Sequence, residues 1–150
     1  MMERRWCPVF MSEYTHSLDT KGRLIVPQKF REQLGAEFVI CRGMDHCLNL
    51  YTMEGWEEFT AKLQQLPELS NADGRKVIRF FIAGAEKCEI DRQGRVLIPA
   101  GLRAFAGLKK DVVLAGAISR IEIWDKDAWE AYNNYDDVES LGASLKAFQI

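Results

Sequence analysis

Apolar and polar positions along this chain change period several times, and the changes recur. From Ser12 to Leu18, and again from Ala85 to Ile90, the two classes alternate well enough for a strand. Each stretch runs into Asp-x-x-Gly-Arg, a turn, and then a short apolar run, Leu24-Ile25-Val26 or Val96-Leu97-Ile98, that reads as a short buried strand. Pro27 and Pro99 follow, where proline suits the first helical turn because its missing N–H would have no partner there. Gly35 and Gly107 close these helices as C-caps. A strand pair comes next, Phe38 to Arg42 with Cys47 to Tyr51, joined through Gly43-Met44-Asp45-His46; its counterpart is Val112 to Leu114 with Arg120 to Trp124. A helix then carries Trp56, Phe59, Leu63 and Leu66 at helical spacing up to Pro67, and Asp125 is placed to cap a helix bearing Trp129 and Tyr132. Between the two series, Asn71 to Ala85 sets Val77, Ile78, Phe81 and Ile82 on one helical face, which predicts a helix buried between the two halves.

The recurrence is an internal repeat. Asp19-Thr20-Lys21-Gly22-Arg23-Leu24-Ile25-Val26-Pro27 aligns with Asp91-Arg92-Gln93-Gly94-Arg95-Val96-Leu97-Ile98-Pro99, sharing Asp, Gly, Arg and Pro. The register continues through Phe30-Arg31 on Leu102-Arg103 and Leu34-Gly35 on Ala106-Gly107. One inserted residue later, Gly43 meets Gly116, Leu48-Asn49-Leu50-Tyr51 meets Ile121-Glu122-Ile123-Trp124, and Trp56 meets Trp129. The chain is therefore read as an α+β protein of two tandem β modules with short helices, residues 9–60 and 86–132. Residues 61–85 form a helical connection, 133–150 an acidic tail and 1–8 an N-terminal extension. A module of about 40 to 50 residues rarely sustains a core alone, so the two copies are expected to pack on each other as a fused pseudo-dimer that associates further. Phe30, Leu34, Leu102 and Phe105 are assigned to that core.

Composition narrows the function. The 150 residues are 47% hydrophobic and 28% charged, enough to bury a core and to exclude disordered and fibrous classes. No run approaches the roughly 20 apolar residues of a membrane span. Cys7, Cys41, Cys47 and Cys88 form no C-x-x-C pair and, with only His16 and His46 beside them, read as small buried hydrophobes in a reducing cytoplasm; no metal and no cofactor is expected.

The one polar constellation that recurs is Asp19 with Arg23 and Asp91 with Arg95. Arginine cannot serve as a base, and no nucleophile, histidine or second carboxylate recurs beside the pair, so no catalytic residue is assigned. A small oligomeric enzyme built on these pairs is the competing reading, and activity surviving Arg23→Ala would mark it. Charge placement favours binding instead. The formal charge of -2 excludes a globally basic nucleic-acid binder. Yet between positions 15 and 31 Lys21, Arg23, Lys29 and Arg31 face Asp19 alone, and basic residues outnumber acids between 75 and 110. The acids concentrate in 53–73 and 121–150. Lys21 and Arg23, two apart, would point to one side of an extended segment, with Arg92 near in the second copy. Such a basic edge suits phosphates, or the O6 and N7 of guanine in the major groove. For Asp19 and Asp91 turn chemistry is favoured, each side chain bonding its own backbone or holding the arginine.

These residues resemble a known family. D-T-K-G-R-L-I-V-P-Q-K-F-R-E-Q-L and D-R-Q-G-R-V-L-I-P-A-G-L-R, with R-F-F-I-A-G-A-E-K-C-E before the second and R-I-E-I-W after it, are similar to the MraZ family of bacterial transcriptional regulators from Val9 to Tyr132. The resemblance implies two SpoVT/AbrB-like swapped-hairpin β modules per chain, ring-shaped homo-oligomers, and binding to short direct repeats in double-stranded promoter DNA. It also implies regulation of the division and cell wall gene cluster, commonly by repression, in the cytoplasm at the nucleoid. The family's DNA-contacting motif falls on Asp19, Lys21 and Arg23 and on Asp91 and Arg95; Gln93 stands where the first copy has lysine. An antitoxin-like DNA binder of the same fold, with a protein partner, is the alternative. Family members begin near a sequence like M-F-M-G-E-Y, here Val9-Phe10-Met11-Ser12-Glu13-Tyr14, so residues 1–8 are read as a start-site artefact.

Overall fold

The computed structural model describes residues 9–68 and 70–150. The readings for residues 1–8 and for Cys7 lie outside them. The chain runs β1 (Glu13–Ser17), β2 (Arg23–Ile25), α1 (Gln28–Leu34), β3 (Glu37–Arg42), β4 (Leu48–Thr52) and α2 (Met53–Leu63). After α3 (Ala72–Ile78) it repeats the order as β5 (Glu86–Glu89), β6 (Arg95–Leu97), α4 (Ala100–Phe105), β7 (Asp111–Gly116), β8 (Ile121–Asp125) and α5 (Lys126–Tyr132), and ends with α6 (Val138–Ala147).

Pairing follows the repeat, across the halves. A six-stranded antiparallel sheet has the order β1-β7-β8-β4-β3-β5, and β2 pairs with β6 in a separate two-stranded ribbon. Exchanging each strand for its counterpart in the other half turns that order into itself, so the sheet has an approximate two-fold axis. The axis passes between Asn49 and Glu122, which are register partners and also the same position of the repeat. Each hairpin takes its outer neighbour from the other half: β7 pairs with β1, and β3 with β5. The protein is thus an α+β pseudo-dimer of two interlocked copies.

Burial is shared between the two halves. β3 and β7 are buried on both faces. Phe38, Ile40, Val112 and Leu114 meet Leu24, Val26, Phe30, Val96, Ile98 and Leu102 in one core drawn from both copies. On the opposite face Cys47, Val113, Ala115 and Trp124 pack under Trp129 of α5, while Tyr51 stacks on Phe59 of α2 at 5.2 Å between ring centroids. Phe10, ahead of β1, joins the core, its backbone bridged to Ile118 and its ring edge-on to Phe30. Thr52, Asn71 and Asp125 cap their helices through side-chain oxygens. Cys41, Cys47 and Cys88 are buried and free; burial pushes the Cys41 and Cys47 thiols up to about 12. No helix among the described residues is long and apolar enough to cross a membrane.

Several local expectations are corrected. Pro27 and Pro99 are caps rather than first-turn residues: at ψ 142° both are extended, and the helices start one residue later. Phe105 is half-buried, packed against the core rather than inside it. The run after each turn is not wholly buried, because the ribbon alternates: Leu24 and Val96 point inward while Ile25 and Leu97 are 46% and 58% exposed. Nor is the segment 71–85 a core helix. Its α-helical part stops at Ile78 and a π turn covers Arg79–Ala83, so a 3.6-residue period no longer places its side chains. Val77 and Ile82 are exposed, and Ile78 and Phe81 only half-buried. Residues 133–150 are more than an acidic tail, since Val138–Ala147 is helical.

Candidate nucleic-acid interface

Each Asp-x-x-Gly-Arg turn closes on itself through its aspartate. In the first, Asp19 Oδ1 accepts the backbone N–H groups of Lys21 and Arg23, both at 2.9 Å, and Oδ2 takes Arg23 Nε–H at 2.6 Å. The second repeats the pattern with Gln93 and Arg95 N–H on Asp91 Oδ1 and Arg95 Nε–H on Oδ2, all at 2.9 Å. The third residue after each aspartate must be glycine, because Gly22 and Gly94 sit at φ 82° and 78°, where a Cβ is strained. The aspartate is therefore turn-former and arginine-holder at once, and both readings of it hold geometrically.

Charge distribution in the turn follows from those bonds. The Arg23 backbone N–H is the largest of several donors that bring the Asp19 carboxyl down to about 2, against an opposing desolvation effect; Arg23's guanidinium and the Lys21 N–H add to it. Asp91 is lowered by the equivalent groups, Arg95 first. The aspartates stay ionised and fix the Nε edge of each arginine.

The fold then sets the two turns side by side. β2 and β6 pair antiparallel with Leu24 opposite Val96, so the two-fold axis also runs through the ribbon. Val26 N–H donates to the Gly94 carbonyl at 2.9 Å and Ile98 N–H to the Gly22 carbonyl at 3.0 Å. Arg95 Nη1 lies 3.7 Å from Asp19 Oδ2, joining the two motifs directly. On the outer face of the ribbon Arg23 and Ile25 face Leu97 and Arg95, a checkerboard of two arginines and two apolar side chains. Arg92 is exposed in the second turn. Lys21 is exposed too, but it lies in the turn ahead of Gly22 rather than on a strand, so the expected strand alternation with Arg23 does not apply.

Two arginines escaped the sequence reading of the site. Arg103 of α4 lies over Gly22, and Arg31 of α1 lies over Gly94, so closely that a Cβ on either glycine would collide with the guanidinium. Each arginine thus guards the other copy's turn. The signal was in the repeat, where Arg31 and Arg103 align, but only the interlocked fold reveals which loop each one covers. Together Lys21, Arg23, Arg31, Arg92, Arg95 and Arg103 outnumber the two carboxylates at this edge.

Comparison with known proteins agrees with this architecture. The family described as "MraZ protein, putative antitoxin-like" matches twice, over residues 9–80 and 81–147. A protein of Moorella thermoacetica called transcriptional regulator MraZ is 49% identical over 144 residues, covering 95% of this chain and all of its own length. Proteins of the same name from Thermoanaerobacter sp. (strain X514) and Ligilactobacillus salivarius are 52% and 53% identical, each over 87% of this chain and 90% and 94% of their own. These are transcriptional regulators and not enzymes. On the double family match and on these relatives, the chain belongs to the MraZ family of transcriptional regulators.

Proposed function

We propose that this regulator binds double-stranded DNA through the paired turns of the β2–β6 ribbon, with Lys21, Arg23, Arg92 and Arg95 as contact residues and Asp19 and Asp91 as the groups that hold them. One turn comes from each module, 9–60 and 86–132, joined through 61–85. The observation that carries this reading is the convergence of both Asp-Arg turns on one ribbon edge, each arginine braced by its own aspartate. A two-stranded ribbon fits the major groove, where arginine donates to guanine O6 and N7 and an apolar side chain packs on the thymine methyl. Ile25 and Leu97 give the outer face its apolar half. The flanking cations suit phosphates, which position the protein without reading sequence.

The target is a set of short direct repeats in the promoter of the division and cell wall gene cluster, bound as a ring-shaped homo-oligomer that represses transcription in the cytoplasm at the nucleoid. A ring supports that geometry because it arrays several weak ribbons along repeated sites, and linking them raises affinity through effective concentration. Arg23→Ala tests the site: it abolishes specific DNA binding in an anisotropy titration while the circular dichroism spectrum still shows a folded chain. Unchanged affinity would sink the assignment.

A further inference from the structure

The apolar face of the last helix is left open by the described residues of its own fold. Val138, Leu141 and Leu145 of α6 and Phe148 just after it recur at steps of three and four, so they share one face. They are 47 to 75% exposed. A ten-residue helix is too short to persist in water by itself, the margin lying at about 12 to 15 residues, so it needs a surface for its apolar face. Asp136, Asp137 and Glu139 gather at its N-terminal end, and no ion pair among the described residues involves them.

One other surface has the opposite character. Met44, Val77, Phe80 and Phe81, with Lys76 at the rim, line an open groove of about 510 Å³ beside α3 and the π turn. Met44 is 65% and Val77 39% exposed. Lys76 and Arg79 on this element take part in no ion pair among the described residues. An apolar stripe edged by acids and an apolar groove edged by bases therefore stand open in the same chain at the same time.

We propose that α6 of one copy of this chain docks into the Met44–Phe81 groove of a second copy, head to tail. The proposal rests on the assembly reading above and supplies its contact. Two different surfaces meet, so the association is heterologous and closes into a ring when the rotation allows. Each copy then makes two such contacts; one is enough to hold a pair, and closure adds to the strength of the whole.

Mass measurement by light scattering on full-length variants tests it. Leu141→Asp with Leu145→Asp removes the stripe, and Met44→Asp with Val77→Asp removes the groove lining; all four positions are exposed, so the core is untouched. Each variant is expected to fall to the mass of one 17.2 kDa chain. Their equimolar mixture is expected to recover a dimer, because one intact groove then meets one intact helix. Lys76→Glu and Glu139→Lys are each expected to loosen the assembly and together to restore it. Retention of the wild-type mass by the helix variant, or failure of the mixture to associate, overturns this contact while leaving the ring reading intact. A wild-type chain that is monomeric overturns both.

Discussion

Asp19 gives the site its order and a pH dependence. Its carboxylate accepts two backbone N–H groups and the Arg23 side chain, all of which favour the charged form and hold it at about 2 in the fold against an ordinary 3.8. A depressed folded value means the contribution to stability is complete above the ordinary value and disappears as pH falls through the folded one. The stability gap between wild type and Asp19→Asn, read from urea midpoints, is therefore expected to be open at pH 7 and to close between about pH 4 and 2; a gap independent of pH would contradict the assigned role. Lys21 differs, since no carboxylate among the described residues holds its side chain. Lys21→Ala is expected to reduce the slope of log affinity on log salt by about 1, whereas Gln93→Ala leaves it unchanged. Asp19 and Arg23 were legible because a repeated polar pair inside an apolar run is conspicuous. Arg31 and Arg103 were not, because each acts on a loop of the other copy, a neighbour that sequence distance conceals.

The β2–β6 ribbon turns one face to the core and the other to the proposed DNA contact. Leu24 is fully buried where the two copies meet, so Leu24→Ala is expected to cost about 2–5 kcal/mol. Ile25 is its chain neighbour on the other face. Ile25→Ser is expected to change stability by less than about 0.5 kcal/mol while weakening DNA binding, urea melts and anisotropy separating the two effects. The reverse ranking would contradict the assigned faces. Three successive apolar residues concealed this division in the sequence, since alternation needs a polar partner to be visible. The strands, the αL glycines and the Asp125 cap were readable, each having local chemistry of its own, whereas the Thr52 and Asn71 caps were not read. The connection at 71–85 misled because one π turn changes the period on which a helical face is judged. The helix at 138–147 was masked by its acids, although Asp137 and the spacing of Val138, Leu141 and Leu145 carried the signal.

At the scale of the whole molecule, the main core and the ribbon are each built from two copies, and the proposed DNA contact depends on that sharing. The repeat made the duplication legible, and marginal module size made mutual packing necessary. Which outer strand joins which hairpin was not encoded in spacing: β1 on β7 and β5 on β3 is a long-range choice, settled by the shared core of Phe30, Phe38, Leu102 and Val112. The interlocking brings the two Asp-Arg turns to one edge, and an acidic chain thereby presents a local basic cluster there. The most direct test is an anisotropy titration of the full chain, at fixed physiological salt, against DNA from immediately upstream of its own coding sequence and against a scrambled duplex of equal length. DNA contact through the ribbon predicts at least about a 10³-fold preference for the upstream DNA, lost in Arg23→Ala with Arg95→Ala; equal affinity for the two duplexes, or a preference that survives both substitutions, would contradict it.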